Sequence, residues 1–136
     1  MSRPSRLAAA RGSAIAVVLW ALVALAALST AAAVATLTDL ALARAHRDHA
    51  AALGLADAAL AETLARFSAD PSAAARIDSL AGAMSTGTWR AAWTPDGGGA
   101  RVLCEGESRG MRRRVEAWVE RGVGGEVRIT AWHELF

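Results

Sequence analysis

Lysine is absent from this 136-residue chain, so all 15 of its basic side chains are arginines, set against 13 acidic ones. A formal net charge of +2 and a pI near 9.9 invite a nucleic-acid reading. The charge is unevenly placed, however. Arg3, Arg6 and Arg11 carry three of the positive charges, and without them the remainder stands at −1. A nearly neutral body excludes affinity driven by phosphate contacts, so no nucleic acid is expected as a partner. Cysteine is scarce as well: Cys104 stands alone, which excludes an intrachain disulfide. In an oxidising compartment a single thiol is either buried or paired with another chain. Cys104 alternates with Val102 in a strand-like segment, which predicts burial. The chain has only 3 prolines, and none falls between residues 40 and 67.

Charge is missing altogether from residues 13–38, SAIAVVLWALVALAALSTAAAVATLT, and returns only at Asp39. At 1.5 Å per residue a helix of this length crosses the roughly 30 Å hydrocarbon core of a bilayer. The run is too long for the h-region of a secretory signal, which is about 7–15 residues and precedes a small-residue cleavage site. The distinct junction, Gly12-Ser13, lies before the apolar run rather than after it. A cut there removes the arginine leader and leaves the hydrophobic helix on the protein. The leader arginines favour a cytoplasmic N-terminus.

This order of leader, glycine and apolar helix resembles the prepilins of type IV pili and type II secretion systems. The resemblance continues through residues 42–60, LARAHRDHAAALGLADAAL, which look like the segment after the membrane helix in PilX-type minor pilins and K-type minor pseudopilins. Arg44, the Arg47-Asp48 pair and Ala56-Asp57-Ala58 carry it. The resemblance implies cleavage between Gly12 and Ser13 by a prepilin peptidase. It also implies an inner-membrane, single-pass placement with the C-terminal head on the periplasmic side. Two positions depart from the major pilins: Val17 stands where they carry a glutamate, and Ser13 where they usually begin with phenylalanine or methionine. A carboxylate inside lipid is costly unless a neighbour pairs with it. Val17 therefore fits a minor, tip-located subunit with no neighbour above it.

The same pattern divides the chain into a leader (1–12), a membrane half-helix (13–38), an extramembrane half-helix (39–68) and a head (69–136). Leu53, Ala56, Leu60, Leu64 and Phe67 recur at helical spacing, and Glu62 and Arg66 form a favourably oriented i,i+4 pair. One helix from Ser13 to about Phe67 would be roughly 80 Å long. Asp70-Pro71 reads as an N-cap followed by proline at the first helical position, opening a short helix over residues 71–80. Beyond a loop at 84–88 the period switches to two. Strands are expected at 88–93, 100–105, 112–120 and 126–134, with a turn over residues 95–99. The expected fold is α+β: a long N-terminal helix packed on a small antiparallel sheet of about four strands, as in pilins.

Catalytic and metal-binding arrangements are not expected. His46 and His49 lie three apart beside Asp48, but no Glu-x-x-His or Cys-x-x-Cys accompanies them, and His133 is remote. They read as a polar collar near the membrane surface. Ser108 and His133 lack any positioned-serine context. Gly97-Gly98-Gly99 follows a strand without opening a helix, so it does not read as a phosphate cradle. No enzymatic activity, metal or cofactor is therefore expected. Arg109, Arg112, Arg113 and Arg114 form the densest positive cluster, with Glu105, Glu107, Glu116 and Glu120 to balance it as a solvated strand. The alternative is a docking site for an acidic subunit. Trp118 and Trp132 both fall opposite the aliphatic positions of their strands and are expected to face outward together, as aromatic anchors of an interface or under a folded-over loop or chain end.

The expected function is structural: a minor pilin or pseudopilin that inserts in the inner membrane, contacts other minor subunits and helps to prime or cap a filament. An uncleaved membrane-anchored periplasmic binding or accessory protein is one alternative. A pilin-like protein of a tight-adherence cluster is another.

Overall fold

The computed structural model describes residues 6–70, 72 and 78–135, with side chains from Ala14 onward. Helix α1 runs over Arg6–Ala69. Five strands follow: β1 (Ser79–Met84), β2 (Gly87–Asp96), β3 (Gly99–Ser108), β4 (Met111–Arg121) and β5 (Val127–Leu135). They pair in sequence order as one antiparallel meander, and the architecture is α+β as expected, with five strands rather than four.

Met1–Ala43 and Arg44–Phe136 form separate compact units. The first contributes the apolar part of α1, and the side chains there are exposed, Trp20 at 75 % and Val17 at 65 %. The hydroxyls among its described side chains are satisfied within the helix. Ser29 Oγ donates to the Leu25 carbonyl at 2.8 Å, and Thr36 Oγ1 to the Ala32 carbonyl at 2.8 Å. This back-bonding suits a helix surrounded by hydrocarbon, where a polar group has no water to turn to. The helix is long and apolar enough to cross a membrane and fits a membrane anchor.

In the second unit α1 lies on one face of the sheet. Ala52, Leu55, Ala56, Ala59, Leu60, Thr63 and Phe67 are its buried positions, a stripe at three- and four-residue spacing. Ala56, Leu60 and Phe67 belong to the expected stripe, whereas Leu53 and Leu64 lie half-buried on its flanks. The centre is taken by small residues because the helix backbone approaches β3 directly. A Cβ on Gly106 would collide with the Ala52 carbonyl oxygen and lie 2.6 Å from the Ala56 amide nitrogen. The sheet side of the core comprises Ala91, Trp93, Ala100, Val102, Cys104, Val115, Ala117 and Val119. Phe67 meets Trp93 edge to face, with centroids 5.0 Å apart and rings at 89°, a favoured aromatic geometry.

The end of α1 is held by Arg121, whose Nη2 donates to the Phe67 carbonyl at 2.6 Å. A cation on the last carbonyls complements the helix dipole. The Arg66–Glu62 pair forms at 3.0 Å as its spacing predicts. Asp70 Oδ1 accepts from the Ser72 amide at 2.9 Å and its hydroxyl at 2.7 Å. Of the short helix expected over 71–80, residues 71 and 73–77 lie outside the described residues. Ser79 and Leu80, placed at its end, instead open β1. Cross-strand pairing with β2, Leu80 opposite Ala91 and Gly82 opposite Trp89, outweighs the weak local preference of a small-residue segment. The expected loop at 84–88 shrinks to Ser85-Thr86 between paired Met84 and Gly87.

The next two hairpins close with two-residue turns. Gly97 and Gly98 have φ of 53° and 111°, and Arg109 and Gly110 have 48° and 82°. Positive φ at both central positions matches the twist of the flanking strands. Pro95 belongs to β2 beyond Ala92, where pairing with β1 has ended, so its missing N–H breaks no ladder on that side.

Candidate partner-binding face

The face of the sheet turned away from α1 carries side chains from alternate positions of every strand. Cross-strand register assigns them: Arg90 opposite Glu105, Glu105 opposite Arg114, Arg101 opposite Trp118, and Leu103 opposite Glu116. No described element covers this face.

Its charges are largely paired. Glu105, 13 % exposed, accepts Arg114 Nε at 2.8 Å, Arg112 Nε at 3.3 Å and Arg90 Nε at 3.7 Å. Arg112 also reaches Glu107 at 3.1 Å. Arg113 points to the helix side of the sheet, where Nη1 meets Glu134 at 3.3 Å. The three consecutive arginines thus divide between the two faces, as strand alternation requires, and each has a carboxylate beside it. This is the geometry of a solvated, charge-balanced strand. Arg109 leaves the cluster for the turn, with Nη1 3.8 Å from Asp48 on α1.

Trp118 lies on the open face, half-buried. The Arg101 guanidinium sits 5.5 Å from its ring centroid, and His133 meets it edge to face at 5.3 Å. Arg101 also pairs with the buried Glu116 carboxylate. The cation over the ring and the imidazole at its edge are favourable contacts that orient the indole on this face.

Trp132 does not share that face, contrary to the strict alternation expected of β5. The β4–β5 register shifts between Trp118, opposite Ala131, and Val119, opposite Ile129, leaving Thr130 as an extra residue. Such a bulge turns every later side chain to the other side of the sheet. Trp132 consequently falls opposite Ala117 on the α1 side, 45 % exposed at the edge of the core. His133 takes the place beside Trp118 instead. Alternation alone does not reveal a bulge, so the error propagates to both residues.

Other candidate chemistry is dispersed. Ser108 Oγ donates to the Thr86 carbonyl at 2.8 Å on the α1 side, while His133 lies on the opposite face, so they form no catalytic pair. Gly97 and Gly98 are hairpin residues. His46 is exposed, and His49 is half-buried with Nδ1 sealed from solvent and unpartnered. Among the described residues no group of three or more His, Cys, Asp or Glu side chains gathers to hold a metal. Cys104 is buried and free. Burial, with Asp57 adding a smaller repulsion, pushes its thiol up to about 12. A hollow of about 850 Å³ flanks β1 on the open face, floored by Ser79, Ala81 and Ala83 and rimmed by Arg90, Glu105 and Glu107. It is shallow, and ion pairs line its rim. Gly12 and Ser13 lie within α1.

These features define an α+β protein whose one long helix carries both an apolar span and the cover of a five-stranded sheet. Comparisons with family models, curated proteins and solved structures return no match to the chain.

Proposed function

We propose that this chain is a structural, prepilin-like minor subunit of a type IV pilus or type II secretion pseudopilus, anchored in the inner membrane through α1. The observation that carries the reading is the use of one helix for two purposes. The helix that carries the uncharged run directly after Gly12 continues without interruption into the residues that cover the sheet. The head then presents a sheet face whose central aromatic, Trp118, is available to neighbouring minor subunits. The chemistry it performs is assembly: insertion, lateral contact and priming or capping of a filament. It requires no cofactor for this.

Processing tests the proposal. Intact-mass analysis of chain extracted from the membranes of a host with an active prepilin peptidase should show loss of residues 1–12, and Gly12→Leu should abolish that loss. Recovery of the full-length wild-type chain contradicts the filament reading and favours an uncleaved membrane-anchored accessory protein.

A further inference from the structure

The two edges of the sheet are differently protected. β5 carries the Thr130 bulge, Arg128 and Glu134, devices that discourage a further strand. β1 reads Ser-Leu-Ala-Gly-Ala-Met, with no charge, no proline and no bulge, and its residues are exposed or half-buried. Among the described residues nothing pairs with its outer side.

The register says which groups lie open there. The Trp93 amide donates to the Asp78 carbonyl at 3.1 Å, so Asp78 and Trp93 belong to the hydrogen-bonded set of the β1–β2 ladder. Antiparallel pairs alternate. Leu80–Ala91, Gly82–Trp89 and Met84–Gly87 are therefore the inward-bonded pairs, and the N–H and C=O groups of Ser79, Ala81 and Ala83 point outward. From these observations we infer that β1 is a dimerisation edge, occupied by β1 of a second copy of this chain.

Self-pairing satisfies the open groups as a set. A two-fold axis at Ala81 brings Ala81 opposite Ala81 of the second copy and Ser79 opposite its Ala83, so outward-facing residues meet only one another. Side chains this small do not clash across a hydrogen-bonded pair, where Cα atoms lie about 5.5 Å apart. No like charges oppose each other, because the strand has none. The guarded β5 edge disfavours head-to-tail addition, so the contact closes at two copies rather than propagating. The inference is independent of the filament reading.

Proline at Ala81 discriminates. The Ala81 amide donates nothing to β2, so Ala81→Pro removes an outward donor while sparing the internal ladder. The full chain in detergent micelles should sediment as a dimer. A81P should weaken association at least tenfold while leaving unchanged the thermal unfolding midpoint measured at dilutions where both chains are monomeric. Ala81→Lys, which sets two ammonium groups against each other at the axis, should also weaken it at low salt and recover at high salt. This second variant decides the matter if A81P fails to fold. Oxidation should link A81C chains covalently but not A83C chains, whose partner is Ser79. A monomeric wild type overturns the inference, as does a dimer that neither A81P nor A81K weakens, since that association belongs to another surface.

Discussion

Gly106 and Cys104 occupy adjacent inward positions of β3, and each makes a different demand on its surroundings. At Gly106 the demand is space: the α1 backbone lies where a side chain would stand. Gly106→Ala should force the helix outward and destabilise the head by about 1–3 kcal/mol, measurable by chemical denaturation of the full chain in detergent. At Cys104 the demand is neutrality. Its thiol ionises near 12 when folded, against 9.0 for the free group. The folded state therefore holds the proton more tightly, and the resulting stability is complete below pH 9 and is lost as pH rises from 9 towards 12. Thermal midpoints of the wild type should fall over that interval more steeply than those of Cys104→Ala. A thiol reagent at pH 8 should label Cys104 slowly in the folded protein and quickly after denaturation. Arg109 is the one non-glycine residue with positive φ among the described residues, and its ion pair with Asp48 is long, at 3.8 Å, with the arginine side chain exposed, hence of little worth. Arg109→Asn, which supplies an Asn-Gly turn, should stabilise the protein by about 1 kcal/mol in the same denaturation assay.

The second half of the chain was legible as strands because its period is two and its turns are rich in glycine. Residues 88–93, 100–105, 112–120 and 126–134 all fall within observed strands or, at Glu126, one residue outside. What stayed hidden is tertiary in origin. β1 has no β-branched residue and follows an Asp-Pro helix signal, so only its partner β2 specifies it. The α1 stripe centres on alanines rather than on Leu53 and Leu64 because Gly106 admits the backbone; an isolated glycine inside a strand pattern was the available clue. The Thr130 bulge had no clue of this kind, and it separates the two tryptophans expected to act together. That correction changes the test of the interface. Under the proposed function, Trp118→Ala should weaken capture of the proposed partner subunits by about 2 kcal/mol in a pull-down, with little change in the unfolding midpoint. Trp132→Ala should leave that binding unaltered. Equal effects of the two on binding would place the interface elsewhere.

Across the whole molecule, α1 belongs to both compact units, and its composition changes between them from exposed apolar residues to an alanine-rich stripe against the sheet. The sequence made this division visible through charge: none appears across residues 13–38, and Arg44, Arg47 and Asp48 follow soon after. Anchoring and core formation are accordingly separable by truncation. The most direct measurement is a paired one. The full chain should remain with the membrane through an alkaline carbonate wash, whereas a chain beginning at Arg44 should be soluble without detergent and unfold in a single cooperative transition. Release of the full chain by carbonate, or an Arg44 chain that shows no cooperative unfolding, would contradict the account that one helix serves first as anchor and then as core.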